Sequence, residues 1–364
     1  MNVSNSVEYK IKINGEELPS IYFKSLKIVS SINLTLPTCI LEINCEVERF
    51  NRFMEMDTLI EINFKYLDSY IFDYNFLVKN FDVKQTDSSA SGVFSGILNI
   101  PGYIQGLKQE FFKEKSTKKV FAAFTGVTPD VQYKEEDDIQ TWLRYNITEK
   151  EFAEYLYKHT YINNDMVLGY ISLDKKMILR KTSDILKDKI VVSNDDKCDI
   201  AIDDNWSYKT NFDIISYKLS PTRTMQFYDV ISHEINTNVL DNKSFFTKKK
   251  YNKMLTYKPF RTLIDCRNTY NDYLFSNRKN LIQRRNLHNY EISFMCQQGT
   301  PVYALDKLDV CSGIKFHAID KVSGRINKVI NGLYIVTKRV FKLEDDTISL
   351  NFTASRDYFN KEEK

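Results

Sequence analysis

The sequence predicts a mostly β protein of the α+β class. Two similar small β-barrels flank a small α+β module, and a basic insertion interrupts the second barrel. Three observations lead to this prediction. Short segments of alternating apolar and polar residues occupy both ends of the 364-residue chain. The middle contains the clearest amphipathic helix. A weak repeat relates a segment near the start of the chain to one near its end.

Composition places the chain among ordinary soluble globular proteins. Hydrophobic residues make up 43% of it and charged residues 27%. The formal net charge of +3 is too small to indicate nucleic-acid binding by itself. The N-terminal MNVSNSVEYK has no apolar signal core, and no segment approaches the roughly 20 apolar residues of a membrane-spanning helix. We therefore expect synthesis in the cytosol and no membrane insertion.

The cysteines favour a reducing compartment. The chain has 6 of them, and none forms a CxxC pair. Buried free thiols are the interpretation that this spacing favours, and such thiols are typical of reduced proteins.

Residues 1–104 predict the first β-barrel. The alternation of Val7, Tyr9, Ile11 and Ile13 with polar residues predicts a strand, and Asn14-Gly15 predicts the turn after it. Alternation predicts further strands over residues 32–36, 39–47 and 60–66. The segment FLVKNFDVKQTDSSASGVFSGIL predicts a hairpin with a loop at residues 86–91. Many short strands at regular spacing favour a small barrel or sandwich.

Residues 105–203 predict the α+β module. Ser116 is a candidate N-cap for one helix, and Thr148 and Glu151 have capping-box spacing for the clearest helix. The segments VLGYISLD and KMILRK predict two strands with a tight turn between them. Trp142 falls with Ile139 and Leu143 on one apolar helical face, which predicts a helix there and a core position for the indole.

Residues 204–240 and 291–364 predict the second barrel, and residues 241–290 predict its basic insertion. FDIISYKLSP and TMQFYDVISHEI are typical of strands. The insertion holds 12 Lys/Arg against 3 Asp/Glu, a net charge of +9. Near the end of the chain, residues 331–359 predict a strong hairpin. Apolar side chains alternate over 348–354, and they fall on both faces of 333–341, so we expect both faces of that arm to be covered.

The weak repeat supports two copies of one barrel. MDTLIEINF (56–64) and LDVCSGIKF (308–316) align without gaps, and a strand, a polar turn and another strand follow each of them. Chance similarity between two β-meanders is the alternative explanation.

The sequence contains no motif for catalysis or cofactor binding. It lacks a phosphate-binding loop, a dinucleotide fingerprint, HExxH and GxSxG. The four histidines are scattered, at His159, His233, His288 and His317. We therefore predict no catalytic, cofactor or metal residues and no enzyme. A cell-wall-degrading enzyme is an alternative, but no pair of acids in the sequence marks one.

Seven residues are candidates for a partner interface: Lys248, Lys249, Lys250, Arg284, Arg285, Leu333 and Ile335. For the basic residues, three interpretations stay open. They form a solvated face, an interface with an acidic protein, or a set of phosphate contacts.

Two segments resemble the central baseplate hub proteins of contractile-tailed bacteriophages. IQTWLRYNITEKEFAEYLYKHTYINNDMVLGYISLDKKMILR (139–180) resembles their middle module, with Gln-x-Trp, a helix ending in His and a hairpin. SGRINKVINGLYIVTKRVFKLEDDTISLNFTASRD (323–357) resembles the end of their second barrel, where the last strand ends in Arg356-Asp357. The hub half of type VI secretion spike proteins shares this layout. The basic segment has no clear match in the family.

The resemblance implies a structural hub of a tail baseplate. Such a hub is a homotrimer whose paired barrels, the first of them tube-like, form a pseudo-sixfold ring that joins the six-fold tail tube to the three-fold spike. The implied partners are the spike protein, tail tube or tube-initiator proteins and other baseplate proteins, with passing contact to DNA in the lumen. The implied location is the virion tail, after synthesis in the host cytoplasm. A siphophage-type tail-tip hub and a nucleic-acid-contacting tail accessory protein are the alternatives.

Overall fold

A computed structural model describes most of the chain. It covers residues 7–55, 57–66, 70–85, 89–162, 165–195, 198–211, 222–229, 234–241, 263–265, 280–281, 283–297, 304–305, 307–319 and 329–357. The fold is mostly β with few helices, and two barrels lie on either side of an α+β module. The predicted fold class is therefore confirmed.

The first barrel comprises six strands and a short hairpin arm. In chain order the elements are β1 (Val7–Ile13), β2 (Glu16–Glu17), β3 (Phe23–Ser31), β4 (Thr38–Glu46), α1 (Val47–Phe53), β5 (Leu59–Tyr66), β6 (Tyr70–Gln85) and β7 (Ser89–Leu98). Adjacent strands pair in the order β1-β5-β6-β7-β4-β3. Inward apolar side chains of these strands form a core with Phe50 and Phe53 of α1.

The α+β module follows the first barrel. Its elements are α2 (Pro101–Ile104), β8 (Lys108–Lys115), α3 (Thr117–Ala122), β9 (Thr128–Val131), β10 (Gln140–Ile147), α4 (Glu149–His159), β11 (Tyr161–Ile162), β12 (Asp165–Ile171), β13 (Lys176–Lys181) and α5 (Thr182–Ile185). Strands β8 and β10 form a two-stranded ribbon, and the other four form a sheet in the order β11-β12-β13-β9. Every residue of β12 is buried, because its two faces pack against different parts of the protein.

The predicted caps of the module helices are confirmed. The Ser116 side chain accepts a hydrogen bond from the Lys119 N–H at the start of α3. At the start of α4, the Thr148 hydroxyl accepts from the Glu151 N–H at 3.2 Å, and the Glu151 carboxylate accepts from the Thr148 N–H at 2.8 Å. Both bonds satisfy backbone donors that a helix leaves unpaired at its first turn.

The second barrel closes on itself. The remaining strands of the chain are β14 (Lys189–Ser193), β15 (Ile200–Thr210), β16 (Thr222–Asp229), β17 (Glu234–Asp241), β18 (Leu263–Asp265), β19 (Tyr290–Cys296), β20 (Gly313–His317), β21 (Gly332–Glu344) and β22 (Thr347–Arg356). Six of them pair in the cyclic order β14-β20-β21-β22-β19-β15, and β15 returns to β14. Phe294, Phe316 and Phe352 lie at the centre of the enclosed core.

Two predicted boundaries of the second barrel are wrong. Strand β14 already belongs to this barrel, so the module ends before Lys189 and not at residue 203. Residues 222–229 and 234–241 do not enter the barrel: β16 pairs with β17 on one side and with β18 on the other, in a separate three-stranded sheet. A strand-forming pattern shows that a segment is extended, but it does not show which strand will be its neighbour.

The two barrels share one strand order. Numbered along the chain within each barrel, the strands of both follow the order 1-4-5-6-3-2. The strands of the weak sequence repeat, β5-β6-β7 and β20-β21-β22, occupy the same positions in the two barrels. One difference lies in the first strand, because β1 is antiparallel to β5 whereas β14 is parallel to β20.

Two local predictions are wrong. Residues 32–36 form no strand; Asn33 and Leu34 have positive φ angles of 73° and 55°, and the segment crosses to the module, where Ile32 forms an isolated bridge with Tyr170. The predicted helix around Trp142 is strand β10. Trp142 is buried, as predicted, but neighbours on a strand point to opposite faces, so Leu143 is exposed.

Four of the cysteines are buried thiols, as predicted. Cys39, Cys45, Cys296 and Cys311 are buried and free, and Cys198 is a half-buried thiol. Burial raises the pKa of the Cys39 and Cys311 thiols, which keeps them protonated and unreactive. Cys266 lies outside the described residues.

Asp138 gives the module a pH-dependent contribution to stability. Its buried carboxylate accepts hydrogen bonds from the backbone N–H and the hydroxyl of Thr117. Burial nevertheless raises the pKa of Asp138 to about 6. Because this pKa lies above its ordinary value near 4, the stabilising contribution is fully present below about pH 4 and is lost as the pH rises through about 6.

We expect Asp138→Asn to remove this dependence. The amide stays neutral at every pH. The difference in free energy of unfolding, variant minus wild type, should therefore increase by up to about 3 kcal/mol between pH 4 and pH 7. Urea denaturation at a series of pH values measures the difference. Asp137→Asn, at the exposed neighbour, is the control. A difference that does not vary with pH would contradict the assignment.

Candidate assembly surfaces

The central feature of the molecule is the seam between the barrels. One edge of β21 pairs with β20 over Gly332–Ile335, and the same edge then pairs with β3 over Lys338–Glu344. Strand β22 pairs along the other edge. The two barrels therefore form one continuous 13-stranded sheet. Ladder hydrogen bonds fix how the barrels are joined.

Side-chain contacts at the seam stabilise the pairing of β21 with β3. Phe341 of β21 packs edge-to-face on Phe64 of the first barrel, with ring centroids 5.5 Å apart. Arg339 forms an ion pair with Asp309 at 3.0 Å, and the Tyr170 hydroxyl donates to the same carboxylate at 3.0 Å. The β21 strand, the loop before β20 and the module are thus joined by one polar cluster.

A cleft of about 250 Å³ opens beside the seam. Its walls come from both barrels and from the β12–β13 turn, and include Ile28, Phe72, Leu173 and Arg339. The walls are partly apolar, and the charged groups there are Asp174, Asp309 and Arg339. Among the described residues, no group of three or more His, Cys, Asp or Glu is placed to hold a metal ion. No helix in the described parts of the chain is long and apolar enough to cross a membrane.

Leu333 and Ile335, two predicted interface residues, pack inside the chain. Ile335 is 0% exposed and lies in a cluster with Ile32, Met166 and Leu168, against which Leu333 also packs. On the opposite face of β21, Tyr334 and Val336 point into the second barrel. Both faces of this arm are thus covered, as predicted, and the covering comes from within one chain.

Arg284 is also used inside the chain. It lies in the helical residues 280–281 and 283–287, and its guanidinium lies 3.6 Å from the centre of the Tyr157 ring. It donates to the carbonyl oxygens of Tyr157 at 2.9 Å and Val167 at 2.5 Å. Asn280, one turn earlier, donates to the carbonyls of Lys158 and Thr160. Hydrogen bonds therefore attach the end of the predicted insertion to α4 and β12 of the module.

Arg285 is exposed next to Arg284. Lys248, Lys249 and Lys250 lie outside the described residues, as does most of the 241–290 segment. The three interpretations of this basic segment, including phosphate contacts, stay predictions.

The ribbon of β8 and β10 has an apolar outer face that the sequence interpretation missed. Phe111 of β8 and Leu143 of β10 are paired and are 64% and 58% exposed. Leu107, Ile139 and Tyr145 add to the same exposed apolar set. The inner face packs on α4, where Phe112 stacks on Phe152. Such a patch is typical of a protein interface, and the strand period applied to 142–145 would have placed it.

Two strand edges lack a neighbouring strand among the described residues. Residues 80–85 of β6 pair with β7 on one edge only, because β5 ends its pairing at Leu77. Residues 206–210 of β15 likewise pair with β19 alone, because β14 pairs only with Ile200 and Ala201. Asp82, Val83 and Lys209 are exposed on these edges. Unpaired edges of this kind accept further strands readily.

Comparison with known proteins identifies the fold. No family model and no curated protein sequence matches the chain. A 43 kDa tail protein of prophage MuSo2 from Shewanella oneidensis matches in structure over 97% of this chain and 99% of its own, with a TM-score of 0.64 and 11% identity. A tail protein from Neisseria meningitidis MC58 matches over 97% of both chains, with a TM-score of 0.62 and 12% identity.

A chain of the Francisella PdpA–VgrG complex matches all of this chain but only 60% of its own length, with a TM-score of 0.56 and 10% identity. The similarities extend over nearly the whole chain and include both barrels and the module. The predicted resemblance to baseplate hub and type VI spike proteins is thus confirmed for the fold.

We expect Val340→Pro to break the seam. Val340 pairs with Val29 of β3 on one side and Asn351 of β22 on the other, and proline removes its N–H and clashes within the ladder. The free energy of unfolding should fall by about 3 kcal/mol or more, as measured by guanidinium denaturation. Val340→Thr keeps the branched shape and the N–H and is the matched control. Equal stability of the two variants would contradict the ladder.

We expect Arg284→Ala to destabilise the protein more than Arg285→Ala does. The first variant leaves the Tyr157 and Val167 carbonyls without their charged donor, at a cost of about 2–3 kcal/mol. The second removes only solvent-screened interactions at an exposed position and should cost about 1 kcal/mol at most. Thermal and urea denaturation of both variants measure this contrast, and equal losses would show that Arg284 has no special role.

Proposed function

We propose that this protein is a structural hub of a phage tail baseplate or a related injection machine. In the proposed assembly, three copies form a closed ring of six barrels that joins a six-fold tube to a three-fold spike. The observation that carries the proposal is the pair of barrels with one strand order, joined edge to edge within one chain.

Symmetry makes this pairing useful. A three-fold object and a six-fold object cannot both be matched by a ring of three single barrels. A ring of three chains with two similar barrels each presents three equivalent chains and six similar units. In a closed ring every contact between copies is heterologous, so one surface of each copy contacts a different surface of the next.

The structural similarities support a role in a tail. Two of the matching structures are tail proteins, and the third belongs to a complex that contains VgrG. These similarities support our proposal that the chain belongs to the virion tail, with a spike protein, tube proteins and other baseplate proteins as its partners. The role that we propose is one of assembly and not of catalysis. The exposed ribbon of β8 and β10 supplies a further surface for such partners.

We expect the purified protein to form a particle of three 42.9-kDa chains. Light scattering behind a sizing column gives the mass, and class averages from negative-stain images should show a ring with six lobes. The measurement is repeated over a range of concentrations so that the association is followed. A stable monomer, a dimer, or a ring with a number of lobes other than six would contradict the proposal.

A further inference from the structure

The seam inside one chain is a template for a second seam. Because the barrels share one strand order, β6 of the first barrel corresponds to β21 of the second, and β15 of the second corresponds to β3 of the first. Within the chain, β21 pairs with β3. The equivalent contact, β6 with β15, does not occur among the described residues of a single chain.

The two barrels can be aligned residue by residue through their ladders. Strands β6 and β21 each have an irregularity at the point where they leave the strand before them, between Val78 and Asn80 and between Val336 and Lys338. After it, Asn80 pairs with Ser95 of β7 and Lys338 pairs with Thr353 of β22. Asn80 therefore corresponds to Lys338.

The same ladders of paired residues extend to β3 in the first barrel and to β15 in the second. In the first barrel Ser95 pairs with Ile40, which pairs with Lys27 of β3. In the second barrel Thr353 pairs with Ser293, which pairs with Ser207 of β15. Lys27 therefore corresponds to Ser207, and the whole register of the seam can be transferred.

We propose that β6 of one copy pairs antiparallel with β15 of the next copy, residues 80–85 against residues 206–211. Transfer of the register from the seam between β21 and β3 places Asp82 opposite Lys209, Val83 opposite Tyr208 and Phe81 opposite Thr210. The inference rests on the proposed trimer, to which it adds the surface and the register of the contact between copies.

The side chains at these positions fit this contact. Asp82 and Lys209 are exposed and carry opposite charges, and such pairs stabilise adjacent strands when they lie directly across from each other. Val83, exposed in the single chain, faces the half-buried ring of Tyr208, which already packs on the core of the second barrel. The corresponding pair inside the chain is Phe341 and Ile28, which is also apolar.

The contact also closes the ring. Each chain contributes one seam within itself and one seam to its neighbour. In three chains the two kinds alternate around the axis, so six barrels are joined by six ladders. Both edges, which have no neighbouring strand among the described residues, become paired.

A charge swap tests the register. Asp82→Lys and Lys209→Glu each place like charges opposite one another, so each variant should raise the concentration at which half of the protein is assembled by about tenfold. The double variant D82K/K209E restores opposite charges and should recover wild-type assembly. The measurement is sedimentation velocity of the full chain at a series of concentrations. Asp73→Lys, at an exposed position of β6 already paired with β5, is the matched control.

The outcomes separate this inference from the proposed trimer. Loss of assembly in both single variants with recovery in the double variant supports the seam. If the wild type is a trimer with six lobes and the single variants assemble equally well, or the double variant does not recover, the seam is overturned while the trimer stands. If the wild type is a monomer at every concentration, both are overturned.

A disulfide gives a second readout that does not depend on weakened assembly. Asp82→Cys combined with Lys209→Cys places the two thiols on directly opposed residues, within the range that a disulfide spans after small adjustment. Oxidation should give covalent dimers and trimers on denaturing gels without reductant. In the control, Asp82→Cys is combined with Ser207→Cys, which shifts the second thiol by two residues along β15, and it should cross-link much less. Equal cross-linking in both would overturn the register.

Discussion

Strand β21 is the constraint on which the rest of the structure depends. It belongs to both barrels, because one edge pairs first with β20 and then with β3 while β22 follows the other edge. Side chains alternate between two faces, so a slip of one residue would move Tyr334 out of the second core and Leu343 out of the first. The cores of both barrels and the angle between them are therefore set by one ladder.

Sequence rules that act over a few residues gave the correct structure. The capping box at Thr148 and Glu151 and the terminal hairpin were predictable, because side-chain period and cap chemistry are local. The two apolar faces of β21 were also visible in the sequence. What covers them was not, because the module residues in contact with Ile335 lie more than a hundred positions earlier in the chain.

Features that depend on distant partners were not predictable. Three apolar residues around Trp142 fit a helical face as well as a two-sided strand, and only the ladder with β8 decides between them. Arg284 and Arg285 are identical in type, yet Arg284 packs half-buried on Tyr157 whereas Arg285 is exposed. The shared strand order of the barrels is accompanied by only weak sequence similarity, because core packing accepts many apolar residues at each position.

The direction of one strand distinguishes the two barrels. Strand β1 runs antiparallel to its neighbour β5, whereas β14 runs parallel to β20, and the other pairings of the common order are antiparallel in both barrels. In the proposed ring, the five strands that share order and direction would repeat six times, whereas the strand of opposite direction would repeat three times. A partner that contacts only the shared strands would meet six similar surfaces, and a partner that contacts β1 or β14 would meet three.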